Sequence, residues 1–471
     1  MSAVVSLNQE KEKEVGVIGA GLVGCLTALA LQKKGYKVIL FELRQDPRLK
    51  STKEKNLRSI NLAISDRGIK ALKYVDENLA KKVLDKVIPM RGRMIHDSKG
   101  NQESQLYGLY GESIKSIDRG YLNQELLNEI DIINKSGVGY PIEVLFGKKL
   151  INLSFLGEEE NPTVTIVDQS SHQEQIFEFD FIVSADGAFS ATRHYLQRYV
   201  RMTFKQEFID TCYIELSIPA GPGNSFLIDP NHLHIWPRDK FMLIALPNQN
   251  GSFTSTFFSS WELAESLNTD TKILNFFKEH FEDGLKLIGE DNLISSFKNN
   301  PKGSLVQIHC NPYNYKGKAI LIGDAAHGMV PFYGQGMNCG FESLRILLEM
   351  LEKNNFNTEK AFNQYSKERH QDLEVILKLA LDNYNEMSHD VTSIVYLMRK
   401  KIDSFLGRLL RGKWLPLYTM ISFRGDIPYS EAISIEKRQQ NIIKKLEAAI
   451  FVGTIYAAVK ISKYFASKFV K

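Results

Sequence analysis

Three stretches of the chain carry residues whose types and spacing suit a bound dinucleotide. The first is GAGLVG, Gly19 to Gly24. Gly19 allows a tight turn, Gly21 leaves no side chain in the way of a pyrophosphate, and Gly24 lets a helix lie close to a strand. Phosphates at that helix start would meet free N–H groups and the positive end of the helix dipole. Glu42 follows Gly24 by 18 residues. An acid there can bind both ribose hydroxyls and disfavours a 2′-phosphate. The second stretch is SADGAFSATR, Ser184 to Arg193, with Asp186 and Gly187 at a turn. The third is AILIGDAAHGMVPFYGQGMNCGFES, Ala319 to Ser343. In it Asp324 is placed to accept from a ribityl hydroxyl. A helix starting near Met337 is placed to stabilise the negative charge of a reduced flavin. These two stretches move the reading from a nicotinamide cofactor to FAD.

Glycine patterns of this length arise by chance, so their setting decides. EVGVI (14–18) reads as a short buried strand, CLTALALQKK as a helix running to about Lys34, and KVILF (37–41) as a second strand ending at Glu42. That is a β-α-β unit of about 30 residues. FDFIVSA (Phe179 to Ala185) and KAILI (Lys318 to Ile322) read as further strands. Between Cys212 and Phe258, apolar or alternating runs separated by Pro, Gly and Asn turns predict an inserted antiparallel sheet. From Phe341 onward the chain reads as mostly helical. The expected fold is an α/β (α+β composite) architecture. A Rossmann-like FAD-binding part occupies 1–200 and returns in 301–350. An antiparallel-sheet substrate domain fills 201–300, a helical region completing the substrate site fills 351–436, and a basic tail fills 437–471.

Of the 471 residues, 43% are hydrophobic and 24% charged, which excludes a disordered, collagen-like or wholly membrane-embedded chain. The net charge of +4 is too weak to argue for nucleic acid as a partner. Cys25, Cys212, Cys310 and Cys339 form no CxxC pair, so neither a metal site nor a disulfide framework is expected, and a reducing compartment is the simpler reading. The first residues, MSAVVSLNQEKEKEVG, have no cationic start followed by an apolar run, so no secretory signal is expected.

GAGLVG with Glu42, the turn at Asp186 and the loop at Asp324 resemble the single-component flavin monooxygenases that hydroxylate aromatic rings. RSINLAISDRG (Arg58 to Gly68), PMRGRMIH (Pro89 to His96), HLHIWPR (His232 to Arg238), FMLIALPN (Phe241 to Asn248) and PFYGQGMNCGFE (Pro331 to Glu342) resemble, within that group, the kynurenine 3-monooxygenase family. The likeness runs from about Val15 to Phe423. It implies FAD as cofactor, NADPH as co-substrate, and L-kynurenine and O2 as substrates, with oxygen delivered through a flavin C4a-hydroperoxide to give 3-hydroxy-L-kynurenine in tryptophan degradation. It implies that Arg44, Ala63, Arg119, Leu150, Met337 and Asn338 complete the FAD site.

The same likeness implies that Arg93 and Tyr107 hold the substrate carboxylate with Asn383 and Tyr418, and that Phe332 and Gln335 line the ring pocket. An arginine fork and tyrosine donors suit a carboxylate, but nothing local chooses between Arg91 and Arg93. No catalytic side chain is expected, because the flavin carries the chemistry and the aniline nitrogen already activates the ring. His327 therefore reads as structural. The same fold acting on another aromatic acid, such as a hydroxybenzoate or salicylate, is the alternative.

The tail has its own signature. From Lys437 to Lys471 there are eight Lys or Arg and one acid, Glu447, so the tail carries +7 and the body 4 − 7 = −3. AAIFVGTIYAAV (448–459) is uncharged, but as a helix it spans only about 18 Å against roughly 30 Å of hydrocarbon. Basic residues beyond it suit a helix lying in a lipid interface, or a short tail anchor. The family resemblance implies the mitochondrial outer membrane, facing the cytosol.

Overall fold

The computed structural model describes residues 13–49, 61–155, 157, 160–388, 391, 393–410 and 412–469, and their side chains apart from 394, 395 and 462–469. Its centre is a six-stranded sheet ordered Asn314–Tyr315, Ala319–Leu321, Phe181–Ser184, Glu14–Ile18, Lys37–Glu42, Ile142–Phe146. All neighbours are parallel except the first pair. Strands covered on both faces need unbroken apolar runs. VGVI, VILF and FIVS supply them, and these residues are buried. The helix Leu22–Lys33 returns the chain from the first strand to the second, as a parallel pair requires. The strands expected over Phe179 to Ala185 and Lys318 to Ile322 are shorter, Phe181–Ser184 and Ala319–Leu321. Both stop early because the chain turns there into the loops that carry Asp186 and Asp324.

The inserted sheet is larger than the segment 201–300. Its seven strands run Gly303–Asn311, Thr203–Ile218, Phe253–Ser259, Phe241–Pro247, His232–Arg238, Gly92–His96, Gln102–Leu106. Strands from before and after the insertion thus close both edges. His232–Arg238 pairs in parallel with Gly92–His96, so the sheet is mixed. The edge strand QESQL has one buried residue in five and carries no period-two pattern to read.

The helical region comprises Gly336–Lys353, Thr358–Ser388, Ile394–Leu409, Leu417–Phe423 and Tyr429–Phe469. All four cysteines are buried and free.

A buried histidine pair ties the strand bearing Arg93 to the sheet. The ring nitrogens His96 Nε2 and His234 Nδ1 are 2.9 Å apart, and His96 Nδ1 lies 2.9 Å from Asp283 Oδ2, which also accepts from Trp236 Nε1 at 2.7 Å. Burial, reinforced by His96 and His232 and opposed by the Asp229 carbonyl and carboxylate, pushes the His234 pKa down to about 4. A histidine depressed on folding binds its proton more readily in the unfolded chain. Its contribution is therefore complete above about pH 6.5 and is lost as pH falls toward 4, on the order of 3 kcal/mol. Urea midpoints should fall between pH 6.5 and 4.5, and fall less steeply in His234→Gln. Equal slopes would remove His234 from the acid response.

Candidate active site

The glycine run forms a cradle whose members have different steric roles. Gly19 adopts φ +97°, and a Cβ there would stand 2.6 Å from the Ala185 carbonyl oxygen. A Cβ on Gly24 would stand 1.7 Å from the Gly19 carbonyl oxygen. Around Gly21 nothing lies within 4 Å of a Cβ, so its backbone borders open space. Gly21 is the N-cap of Leu22–Lys33, and no side chain caps that helix and no acid sits in its first turn. The Glu42 carboxylate accepts from the backbone N–H of Ala20 at 2.8 Å and of Arg44 at 2.9 Å, which holds it beside the glycine turn. The Arg44 side chain is exposed, and the Arg44 carbonyl accepts from Gly147 N at 3.0 Å. Leu150 lies in the strand Lys148–Ser154 with its side chain in the main core.

At the other end, Asp324 begins the short helix Asp324–His327 after Gly323, whose φ is +59°. The Asp324 carboxyl reaches solvent yet is densely surrounded by protein. This desolvation raises its pKa, and the positive charge of Arg119 works against the rise. The helix Gly336–Lys353 also starts without a capping side chain or an acid in its first turn, leaving its first N–H groups for an anion. Met337 is buried there. Asn338 is a clamp: its Oδ1 accepts from Ser65 N at 2.9 Å, and its Nδ2 donates to the Ala63 and Gly334 carbonyls at 2.8 Å each. It thereby fixes the strand holding Ala63 to the helix start. A Cβ on Gly340 would stand 2.7 Å from Val23 Cγ2 and 3.6 Å from Gly323 Cα, so this helix lies hard against the first one and the Asp324 turn.

Asp186 accepts from Ser184 Oγ at 2.5 Å and from the N–H and hydroxyl of Thr192 at 3.1 and 3.2 Å, bracing the turn at Gly187. His327 is buried against Ser343 and Cys339, and burial pushes its pKa down to about 3. That keeps it neutral, as a structural residue would be. Two uncapped helix starts, each accompanied by an acid at a strand end, form a donor set that fits FAD.

The residues expected to hold the substrate come together beside the second helix start. Arg93 is 4% exposed, while Arg91 is exposed, so Arg93 is the one of the two that faces the interior. The Arg93 guanidinium lies 5.8 Å from the Tyr107 ring centre and 5.3 Å from that of Tyr418. Tyr107 and Tyr418 stack at 4.8 Å and 14°, and Tyr333 continues the stack at 5.6 Å from Tyr418. Asn383 Nδ2 donates to the Phe332 carbonyl at 2.7 Å, and Phe332 packs against Phe258 and Tyr384. Gln335 Oε1 accepts from the Tyr429 hydroxyl at 3.1 Å. Arg93 Nε, the Tyr107 hydroxyl and Asn383 Oδ1 are buried without a hydrogen-bond partner. Such atoms cost about 1–3 kcal/mol each when left unmet, and three of them belong to residues expected to hold the substrate.

Sequence reasoning missed Glu386, Tyr396 and Lys400. Glu386 Oε1 accepts from Arg93 Nη1 at 2.6 Å and from the Tyr396 hydroxyl at 3.0 Å. Burial opposes the charge on Arg93, and the Glu386 carboxylate with the neighbouring tyrosines overrides it and holds the pKa well above the usual range. Burial and the nearby Arg93 push the Lys400 ammonium down to about 8. Asn383 and Glu386 are three residues apart on one helix, hence on one face; that spacing was the available signal for Glu386.

Two protein-family models match the chain: one described as an FAD binding domain over residues 122–380, the other as an NAD(P)-binding Rossmann-like domain over 17–86. The kynurenine 3-monooxygenase of Debaryomyces hansenii is 56% identical, covering 97% of this chain and 97% of its own. That of Saccharomyces cerevisiae is 50% identical, covering 93% and 95%. The chain belongs to the kynurenine 3-monooxygenase family. Among solved structures, 2-methyl-3-hydroxypyridine-5-carboxylic acid oxygenase superposes with a TM-score of 0.65 at 16% identity, covering 82% of this chain and 95% of that one. At that identity the likeness speaks for the fold. Kynurenine 3-monooxygenase membership and the glycine cradle agree on a flavoprotein.

Proposed function

We propose that this chain hydroxylates L-kynurenine at the ring carbon ortho to its amine, giving 3-hydroxy-L-kynurenine, with FAD as cofactor, NADPH as reductant and O2 as oxidant. The observation that carries the substrate reading is the buried Arg93 beside the stacked Tyr107 and Tyr418 rings, with unmet polar atoms on Arg93, Tyr107 and Asn383.

When bound, FAD supplies the redox chemistry, taking a hydride from NADPH and activating O2 for transfer of one oxygen atom. The protein does the rest. The N–H groups around Gly21, the Glu42 carboxylate and Asp324 hold the cofactor, with Arg119, Arg44 and the backbone near Ala63, Leu150 and Met337 around it. Arg93 offers its Nε edge to the substrate carboxylate while Glu386 keeps the other edge, and Tyr107, Tyr418 and Asn383 add neutral contacts. Phe332, Phe258 and Tyr333 give the ring an apolar wall that excludes water, which would otherwise divert the oxidant to hydrogen peroxide. No general base is required, and neutral His327 abstracts no proton. The six-stranded sheet is the one mainly parallel sheet among the described residues, which supports NADPH docking against the flavin domain. Product analysis with L-kynurenine, 4-hydroxybenzoate and salicylate tests the reading. Only L-kynurenine should both speed NADPH oxidation and yield a hydroxylated product; turnover of a phenolic acid instead would overturn it.

No helix among the described residues is long and apolar enough to cross a membrane. The helix Tyr429–Phe469 exposes Leu446, Ile450, Phe451, Val452, Ile455 and Tyr456, and Lys444, Lys445 and Lys460 accompany them. Lys463, Lys468 and Lys471 lie outside the described side chains. This combination supports a helix lying in the lipid interface, and we assign it to the cytosolic face of the mitochondrial outer membrane. Deletion from Ile442 onward should move the enzyme from the membrane pellet to the supernatant with its FAD retained. A truncated enzyme that still pellets would end the tail reading.

A further inference from the structure

We propose that Tyr429 is a positioning residue for Gln335: its hydroxyl fixes the Gln335 carboxamide so that the amide nitrogen is presented to the substrate's ketone oxygen. This rests on the kynurenine reading above and extends it to a residue outside the pocket.

Gln335 is the N-cap of the helix Gly336–Lys353, but its side chain makes no capping bond to that helix. Gln335 is 2% exposed, and its Oε1 takes the Tyr429 hydroxyl at 3.1 Å. Gln335 Nε2 donates to no described residue, yet it is not among the fully enclosed atoms left unmet, so it borders open space. A carboxamide has one acceptor end and one donor end. Holding the oxygen therefore decides where the nitrogen points. The neighbouring Tyr333 ring stacks on Tyr418, so the loop that carries Gln335 belongs to the pocket wall. L-Kynurenine has a ketone beside its ring, an acceptor that a donor must meet. An amide turned by half a rotation would set oxygen against oxygen.

Tyr429 is held rigidly enough to make that choice. It is fully buried, and the Arg67 guanidinium lies 3.9 Å from its ring centre. Arg67 is itself fixed by Glu342 Oε1 at 2.6 Å, the Ile421 carbonyl at 2.8 Å and the Ile427 carbonyl at 2.6 Å. The other Glu342 oxygen accepts from Arg369 at 2.6 Å. The next residue, Ser430, is pinned to Asp372 through its N–H at 2.9 Å and its hydroxyl at 2.6 Å. The first turn of the C-terminal helix is thus locked to the helix Thr358–Ser388, and Arg67, bound to Glu342, holds the Tyr429 ring beside the helix Gly336–Lys353. The order that results is Arg67 and Glu342 on Tyr429, Tyr429 on Gln335, and Gln335 on the substrate.

The test is a double-mutant cycle on the full-length holoenzyme with Tyr429→Phe and Gln335→Ala, plus Gln335→Glu. Tyr429→Phe keeps the ring under Arg67 and should retain FAD. It should raise the KM for L-kynurenine about fivefold and lower the product formed per NADPH consumed. The double variant should be no worse than Gln335→Ala alone. Gln335→Glu keeps an oxygen for Tyr429 and removes the donor, so it should match Gln335→Ala. Additive effects in the cycle, an unchanged KM in Tyr429→Phe, or wild-type coupling in Gln335→Glu would each overturn the proposal. Failure of the wild-type enzyme to hydroxylate L-kynurenine would instead fall on the functional reading.

Discussion

Gly24→Ala yields a protein that purifies without FAD and melts well below the wild type. The new methyl would sit 1.7 Å from the Gly19 carbonyl oxygen, a backbone atom, and a Cβ has no torsion of its own that could move it. Neither can rotate away, so the helix Leu22–Lys33 must move off the strand Glu14–Ile18. That displaces the uncapped helix start from the phosphate position and opens a core in which Cys25, Leu26, Ala28 and Leu29 are buried. Overpacking of this kind costs about 3 kcal/mol or more. Gly21→Ala is the matched control, because nothing lies within 4 Å of its added methyl. It should leave the apoprotein's melting temperature unchanged and weaken FAD binding only, by crowding the pyrophosphate. If Gly24→Ala retains FAD at wild-type stoichiometry, the cradle is misread.

Arg93→Ala lowers kcat/KM for L-kynurenine by about 10- to 150-fold, corresponding to about 1.5–3 kcal/mol for a charge-assisted contact. Most of the loss should appear in KM, because the carboxylate is remote from the reacting ring carbon and is held equally in ground and transition states. FAD content should be unaffected. The Glu386 carboxylate left behind is about one-third exposed, so water can solvate it and the fold survives. An analogue lacking the carboxylate makes the assignment specific: wild type and variant should turn it over alike. An unchanged KM for L-kynurenine would take Arg93 out of the substrate site.

Residues whose backbone position dictates their type were legible in the sequence. Gly19 and Gly24 are required by a positive φ and a steric contact, and Asp324 by the strand-to-helix turn that holds it. The flanking strands read correctly because a sheet buried on both faces writes unbroken apolar runs. The Arg93 pocket was not legible in the same way. Arg91 sits exposed just before the strand Gly92–His96 and Arg93 is buried within it, a difference that a spacing of two does not encode, and the partner that identifies Arg93 is Glu386, 293 residues away. Periodicity records a residue's neighbours within its own element and carries no trace of such a pairing. For the same reason Gly92–His96 and Gln102–Leu106 were not assigned to the substrate sheet, since their pairing is with His232–Arg238 and with each other. Resemblance supplied Arg93, Tyr107, Asn383 and Tyr418; the structure supplied Glu386, Tyr396 and Tyr429.

The most direct measurement is turnover of L-kynurenine by the FAD-loaded enzyme with NADPH under ¹⁸O2, followed by mass spectrometry of the product. One ¹⁸O atom in the new ring hydroxyl for each NADPH consumed by coupled turnover, with the second oxygen leaving as water, is the predicted result. A hydroxyl that instead takes its oxygen from solvent, or NADPH oxidation that L-kynurenine does not accelerate, would contradict the assignment.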